Sequence, residues 1–395
     1  MTVPRAFPEP ACAAADLARG LAPGFAERAQ EHDASGSFPA EDFRELRGCG
    51  LLGLMVPEEL GGLGASFADY AAVAGEMAAG SGSTALIFNM HASITGALAA
   101  AGHDLLADLG AADGFGAERD RLLAGAAAGS LYAVAMSERG AGSRLSHTRT
   151  SFARTADGYR ITGAKAFVSG AGHADAYLVT AREDAGAEPA VSYFLVPHGP
   201  GVRVEPTWDS LGMRATGSHD VHFDVRVPAS ALLGGVEGVV LPLAQMMPQW
   251  LVASYAAVYA GVARAAVQAA STHLAERGLH ELPAVRARVG RAEAAVAAAE
   301  AVVREAARRV SAEPGAPGTN RWVWRAKLVA GDTAAEVSSS LLEAAGAGAG
   351  RRGHPLERIF RDARCGALQP ATSDVCADWL GVAVLDGDPD AEARW

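Results

Sequence analysis

The sequence predicts an α+β protein in which a small β-domain lies between two helical blocks. Between Leu131 and Arg182, short runs of alternating apolar and polar residues are separated by turn formers such as Asp157-Gly158, a pattern typical of short antiparallel strands. The flanking segments carry apolar residues at helical spacing. A chain of 395 residues is long enough for about two or three packed domains. We therefore expect an all-α domain over residues 1–130, a β-domain over 131–233 and a C-terminal helical bundle over 234–395.

The N-terminal block is predicted to contain at least four helices. Apolar residues recur at helical spacing in Ala11–Gln30 and in Glu41–Arg47, and Phe67–Ala79 is strongly amphipathic. The stretch Thr84–Ala101 is apolar on nearly every side. A helix of that kind is buried between other helices, so we expect this one at the centre of the domain.

Two pieces of the β-domain differ from ordinary strand and turn. In Met136–Ser143 a strand runs into a Gly-rich turn, where backbone N–H groups can approach a ligand closely. In Gly163–Ser169, Phe167 precedes a hydroxyl by two residues, which suits a flat heteroaromatic cofactor; a hairpin corner with a core Phe is the alternative. Strands are predicted at 133–137, 148–153, 159–162, 167–169, 176–180, 191–196, 202–206 and 220–225.

The C-terminal block is predicted to form an antiparallel four-helix bundle. Its helices are expected at 241–275, 285–310, 322–345 and 374–385, joined by short loops. No heptad pattern is sustained through the Ala-rich stretches, so a coiled coil is not expected.

Motifs in a fixed order along the chain carry a resemblance to a known family. They include GLLGLMVPEELGGLG at 50–64, Ser137-Glu138 followed by Gly140 to Ser143, GAK at 163–165, LGMR at 211–214 and RDAR at 361–364. In this order, they resemble the acyl-CoA dehydrogenase superfamily of flavoproteins nearly end to end. The resemblance implies a helical domain, a β-barrel or sandwich, and a four-helix bundle. It also implies an FAD-dependent oxidoreductase that desaturates an acyl-CoA or carrier-bound acyl thioester, with hydride transfer to flavin N5.

The resemblance also assigns roles to individual residues. It implies that Met136 and Ser137 face the pyrimidine edge of the flavin, that Phe167 lies against the isoalloxazine and that Ser169 donates to N5. Ser143 would contact a phosphate or a bound thioester. The other cofactor positions that it implies are Arg214, Ser218, Arg277, Glu343, Gly346, Gly348 and Thr372.

The sequence departs from the family where the catalytic base is expected. Removing an α-proton from a thioester requires a base, yet Pro370 stands at the usual glutamate position and Leu251 at the alternative one. Asp374, four residues beyond Pro370, is a substitute base or a helix-capping carboxylate. The ADP-binding region departs too: the loop at 278–283 is short, and Glu343 replaces a glutamine that would suit a phosphate better.

Three functional hypotheses follow from these departures. The first is a thioester dehydrogenase with an unusual base such as Asp374. The second is a flavin monooxygenase of the same fold, using FMN or a reduced flavin supplied by a reductase, with His91 and Gln369 as candidates for the oxygen site. His91 is otherwise a satisfied core histidine. The third is a half-active subunit that needs a catalytic partner chain.

Composition limits the remaining possibilities. A formal net charge of −11 and a pI near 5.5 argue against a nucleic-acid partner. The four cysteines show no metal or redox spacing, so we expect free thiols and no metal site. The N-terminus lacks the pattern of a signal peptide, and the most apolar window is interrupted by Asn89 and His91. We expect a cytoplasmic homodimer or homotetramer, because the family builds its flavin site from two subunits.

Overall fold

The computed structural model describes residues 13–101, 115–142, 144–184, 190–250, 252–385 and 387, and it confirms the α+β architecture. The helices are α1 Ala13–Ser35, α2 Ala40–Gly48, α3 Phe67–Gly80, α4 Gly82–Ala100, α5 Phe115–Ala127, α6 Val240–Met246, α7 Ala253–Glu276, α8 Pro283–Ala312, α9 Pro317–Ala345, α10 Pro355–Arg364 and α11 Ser373–Val384. The strands are β1 Tyr132–Ala135, β2 Ser151–Thr155, β3 Gly158–Val168, β4 Ala176–Glu183, β5 Val191–Pro197, β6 Val202–Glu205 and β7 His219–Pro228.

The strands form one sheet with the order β1-β4-β2-β3-β7-β6, and β5 also pairs with β4. The predicted antiparallel pairing is found for β2 with β3, β3 with β7, β4 with β5 and β6 with β7, whereas β4 runs parallel to both β1 and β2. The hairpin of β2 and β3 lies between β1 and β4 in the chain, and such a long connection allows the chain to return in the same direction. The segments expected at 159–162 and 167–169 belong to the single strand β3, whose register shifts between Lys165 and Val168.

Two boundaries of the C-terminal block differ from the expected helices. The stretch expected as one helix over 241–275 is divided, because α6 ends before a 3₁₀ turn at Pro248–Trp250 and α7 begins at Ala253. Pro248 has no N–H to continue the helix. Helix α10 was not expected; Pro355 stands at its first turn, and His354 Nδ1 accepts the Leu356 N–H at 3.1 Å.

Helix α4 lies at the centre of the helical core, as its apolar sequence predicts. Sixteen of its residues are buried. Helix α7 crosses α3 closely, since a Cβ on Gly261 would lie only 2.4 Å from the carbonyl oxygen of Gly75. The stretch Pro248–Glu276 is long and apolar enough to cross a membrane, but 88% of its most apolar window is buried inside the protein. That degree of burial is typical of a core helix.

Candidate active site

A buried ion pair fixes the corner where β1 ends. Lys165 Nζ donates to Glu138 Oε1 at 2.7 Å and to Thr180 Oγ1 at 2.9 Å, and it lies 3.2 Å from the carbonyl oxygen of Met136. The Glu138 carboxylate also accepts the backbone N–H groups of Arg149 and Thr150, at 2.8 and 2.9 Å. These bonds hold the backbone of Met136 and the turn after it in one position.

The ion pair is charged although it is almost inaccessible to water. Burial lowers the pKa of Lys165 to about 8, against the opposing effect of Glu138. Burial raises the pKa of Glu138, but the Lys165 ammonium and the two backbone donors lower it by more. The pKa of Glu138 is therefore below its ordinary value. Sequence reasoning assigned neither side chain a role. The signal was available, because Lys165 occupies the same buried face of β3 as Ile161.

Phe167 is turned outward by the irregularity in β3. Its φ is 59°, in the left-handed region that a bulky residue rarely adopts, and it lies within the register shift between Lys165 and Val168. The ring is 59% exposed and meets Trp208 edge-on, with 6.1 Å between centroids. One residue earlier, the Ala166 N–H donates to the carbonyl oxygen of Ser137 at 2.8 Å. The backbone that carries the exposed ring is therefore bonded to the backbone of Ser137.

The structure joins Ser169 to the loop at 214–218 through a row of buried hydroxyls. Ser169 Oγ and Ser218 Oγ are 2.9 Å apart, and Ser218 Oγ is 2.7 Å from Thr216 Oγ1. Thr216 Oγ1 donates to the carbonyl oxygen of Met213 at 2.8 Å. With that proton committed, Ser218 donates to Thr216 and Ser169 donates to Ser218, so the remaining capacity of Ser169 is as an acceptor. This polarity is opposite to the donor role expected for Ser169.

The hydroxyl row is anchored to the C-terminal block at Met213. Met213 has a φ of 54°, and its N–H donates to Asp362 Oδ1 at 2.6 Å. Burial raises the pKa of Asp362 to about 6, although Arg358 and the Met213 N–H act in the other direction. Helix α10 therefore sets the position of the loop that carries Thr216 and Ser218.

Arg214, expected at the flavin, is already bound within the chain. Its Nε donates to the carbonyl oxygen of Asp33 at 2.9 Å, and its Nη1 donates to Asp209 Oδ1 at 2.8 Å and to the carbonyl oxygen of Ser210 at 3.1 Å. Its guanidinium ties the loop to the end of α1.

His91 has the surroundings of a core histidine. Its Nε2 donates to the carbonyl oxygen of Leu52 at 2.7 Å, and its Nδ1 accepts the Tyr132 N–H at 3.1 Å. Burial lowers its pKa to about 4, against the raising effect of the Leu52 carbonyl and of Asp175. Both ring nitrogens are occupied by backbone groups, which leaves neither for oxygen, substrate or flavin.

The buried imidazole makes stability depend on pH. Because the His91 pKa falls from 6.5 to about 4 on folding, the unfolded chain binds an extra proton between those values. The contribution of His91 to the free energy of unfolding is fully present above pH 6.5. It decreases by about 3 kcal/mol as the pH falls through 4. We expect His91→Gln, which keeps a donor and an acceptor but cannot be protonated, to lack this contribution. Urea unfolding of both proteins at pH 7, 5.5 and 4 measures it; parallel curves would contradict the assignment.

The expected residues of the C-terminal block lie at its surface. Arg277 caps the end of α7, and Gly346 caps the end of α9 with a φ of 80°. Glu343 is exposed and pairs with Arg288 Nη1 at 2.5 Å, and Gly348 lies in the exposed 3₁₀ turn that follows. Glu343, Gly346 and Gly348 therefore lie together at the C-terminal end of α9.

The segment at the usual base position offers no buried carboxylate. Thr372 Oγ1 accepts the Val375 N–H and is the N-cap of α11, while Asp374 is exposed in the first turn of that helix. The fully buried Lys327 Nζ donates to the carbonyl oxygens of Gly366 and Gln369, at 2.7 and 3.2 Å. This segment is thus held by backbone contacts. Two other positions of interest, Ser143 and Leu251, lie outside the described residues.

A largely apolar cavity of about 290 Å³ lies between α4, the sheet and α6. Met136 is part of its wall, so the cavity reaches the ion-paired corner of β1. The polar residues of the wall are Ser93, Tyr193, Glu237, Trp250 and Tyr255; its apolar residues include Met90, Ile94, Leu98, Val134, Leu178, Leu243 and Met247. The cavity can therefore enclose a small apolar molecule next to Met136.

Sequence profiles of three domains match most of the chain. They are described as the acyl-CoA dehydrogenase N-terminal domain at residues 13–108, the middle domain at 133–225 and the C-terminal domain at 253–373. The chain belongs to the acyl-CoA dehydrogenase superfamily. The outer two profiles fall in the helical blocks and the middle one covers most of the sheet, so the fold and the family agree.

Relatives in this superfamily carry different activities. The amino sugar nitrososynthase DnmZ of Streptomyces peucetius is 30% identical over 94% of this chain and 92% of its own length. The short-chain specific acyl-CoA dehydrogenase of Clostridium acetobutylicum is 26% identical over 91% and 95%. The FMN-bound structure of TdsC from Paenibacillus, a dibenzothiophene monooxygenase, is 29% identical over 94% and 97%, with a TM-score of 0.82. The protein is therefore an oxidoreductase-type flavoprotein of this superfamily.

The residues present fit the ring system of a flavin. An exposed Phe167, held outward by its backbone beside Trp208 and the Met136–Ser137 edge, provides an aromatic face for a planar ring. The fit is poorer at the end of α9, because the Glu343 carboxylate would repel a phosphate and already neutralises Arg288.

Proposed function

We propose that the protein is a flavin-dependent monooxygenase that inserts one oxygen atom into a small apolar molecule. The observation that carries this proposal is the composition of the cavity wall, where Glu237 is the only carboxylate among the described residues. Desaturation of a thioester needs a free carboxylate at the α-carbon, whereas oxygenation does not require that base.

Glu237 is unsuited to serve as the base. Its carboxylate forms a bidentate ion pair with Arg154 and accepts a hydrogen bond from the Tyr159 hydroxyl at 3.1 Å. Both carboxylate oxygens are thus engaged by donors, which holds the group at Arg154 and Tyr159 and away from a substrate carbon. The sequence candidate Asp374 is exposed on α11 and is absent from the cavity wall.

The relatives support the proposal without deciding it. TdsC is named as a monooxygenase, while relatives of similar identity are named acyl-CoA dehydrogenases. The choice between them therefore rests on the cavity, whose described residues supply no free carboxylate.

Each residue of the site has a role in this reaction. A reduced flavin bound here supplies two electrons and two protons, so that one atom of O₂ enters the substrate and the other leaves as water. Met136 and Ser137, held by Lys165, line the pyrimidine edge, and Phe167 packs on the ring. Ser169, left as an acceptor by its hydroxyl row, suits the N–H of a reduced flavin. The apolar cavity holds the substrate and excludes water.

The flavin in this proposal is FMN. The ADP half of FAD would need cationic or neutral partners, but Glu343 supplies a carboxylate and occupies Arg288. Arg277, Gly346 and Gly348 are exposed in one chain, which suits contact with a second copy. The proposal therefore includes a homo-oligomer.

The test supplies FMN, a reductase with NADH, and ¹⁸O₂ to the protein with dibenzothiophene or 2-naphthol as probe. We expect a product that has gained one labelled oxygen atom, and none without O₂ or without the protein. FAD is tested in parallel and is expected to support a lower rate. No oxygenated product, together with desaturation of an acyl-CoA, would overturn the proposal.

A further inference from the structure

We propose that Tyr193 determines specificity, by binding the single polar atom of an otherwise apolar and uncharged substrate. This inference rests on the proposed function for the reaction, but it concerns binding and is tested without turnover.

Strand β5 places the Tyr193 side chain in the cavity. Its residues alternate: Val191, Tyr193 and Leu195 pack with α4 and α6, whereas Phe194 and Val196 pack in the interior of the curled sheet. The Tyr193 ring is 8% exposed and forms part of the cavity wall. The alternation along β5 thus fixes the face of the sheet on which the Tyr193 ring lies.

The Tyr193 hydroxyl has no hydrogen-bond partner among the residues that the structure describes. Of the other polar side chains of the wall, Trp250 Nε1 is also without a partner among the described residues, and the remaining three are engaged. Ser93 Oγ donates to the carbonyl oxygen of Asn89 at 2.8 Å, Tyr255 Oη contacts Met90 Sδ at 3.6 Å, and Glu237 is ion-paired. Burial raises the pKa of Tyr193 well above its ordinary value, so the hydroxyl keeps its proton. A hydroxyl that lines a cavity without a partner favours a ligand that supplies one.

Tyr193 also lies close to the predicted flavin edge. In the antiparallel pair of β4 and β5 it stands directly opposite Thr180, and side chains opposite one another share a face of the sheet. Thr180 Oγ1 bonds to Lys165 Nζ and lies 3.4 Å from the carbonyl oxygen of Met136. A molecule bonded to Tyr193 therefore lies near Met136, where the reaction would take place.

The charges around the cavity determine the substrate class. Among the described residues, the wall contains no Lys, Arg or His, and Arg154 beside it is neutralised by Glu183 and Glu237. An anionic group would be buried without a partner, at high cost. The cavity thus selects a free, uncharged compound with one oxygen or nitrogen atom that bonds to Tyr193, and it rejects carboxylates and CoA thioesters.

The test measures binding by equilibrium dialysis to the protein loaded with oxidised FMN, with no reductant present. The probes are 2-naphthol, its near-isostere 2-methylnaphthalene, the anion 2-naphthoate, and butyryl-CoA. We expect 2-naphthol to bind about tenfold tighter than 2-methylnaphthalene, since they differ by one hydrogen bond. In Tyr193→Phe the ratio should fall to about one, because the affinity for 2-naphthol alone decreases.

Tyr255→Phe is the matched control, since it removes a second hydroxyl from the same wall and should keep the preference. The inference is overturned if Tyr193→Phe keeps the tenfold ratio, if Tyr255→Phe alone loses it, or if 2-naphthoate or butyryl-CoA binds as tightly as 2-naphthol. Because no reductant is present, these outcomes are independent of whether the protein oxygenates its substrate.

Discussion

Replacing Lys165 with methionine is expected to lower the free energy of unfolding by about 3–5 kcal/mol, since removing one partner of a buried ion pair leaves the other charge uncompensated. Lys165 has no exposed side-chain area and Glu138 only 6%. The loss of Lys165 also removes the donor to Thr180 and the contact with the Met136 carbonyl. Urea unfolding measures the stability, and quenching of FMN fluorescence measures the flavin affinity, which should fall as the Met136 corner loosens.

Two further variants distinguish the loss of stability caused by breaking the ion pair from the loss caused by any substitution in β3. Arg160→Ala, on the same strand as Lys165, breaks an exposed ion pair with Asp224 of β7 and should cost less than about 1 kcal/mol. The double variant Glu138→Gln with Lys165→Met removes both charges and should recover part of the lost stability. A double variant that is no more stable than Lys165→Met would contradict the charge-based explanation.

Gly212→Ala is expected to destabilise the protein by about 3 kcal/mol, because it inserts a methyl group into a closely packed backbone contact. A Cβ at this position would lie 2.2 Å from the Arg361 carbonyl oxygen and 2.7 Å from the Asp362 nitrogen. Neither backbone can move freely, since Arg361 is ion-paired with Asp33 and Asp362 holds the Met213 N–H.

The effect of Gly212→Ala should extend to the flavin, because Met213 anchors the row of Thr216, Ser218 and Ser169. We expect weaker FMN binding together with a lower unfolding temperature in a thermal melt. Gly199→Ala, where a Cβ would meet no atom within 4 Å, is the control and should change stability by less than about 0.5 kcal/mol. Equal effects of the two substitutions would show that the contact with α10 is unimportant.

Much of the fold was predictable because its elements have strong local signals. The apolar sequence of α4 predicts its central position, and alternation predicts most strands. The parallel pairing of β4 was not predictable from alternation, because alternating apolar and polar residues occur in a strand whether its neighbour runs parallel or antiparallel to it. The division at Pro248 was missed because apolar spacing continues through it.

The site was predictable only in part. The motifs indicated Met136, Phe167 and Ser169, but the polarity of the hydroxyl row depends on Thr216 and Met213, which come from a distant segment. Glu138 and Lys165 were quoted in the motifs without a role, because an ion pair between strands is a tertiary feature. Tyr193 carries no sequence signal, since an aromatic residue in a strand is ordinary.

The most direct test of the account is an anaerobic titration of the flavin-loaded protein with acyl-CoA thioesters of increasing chain length, followed by visible absorbance. With no free carboxylate among the described residues of the cavity wall, we predict that the oxidised flavin band persists throughout, while the same sample is bleached by dithionite. Bleaching by a thioester with formation of the enoyl product would contradict the account. It would show that a base exists, and Asp374→Asn would then test whether that base is Asp374.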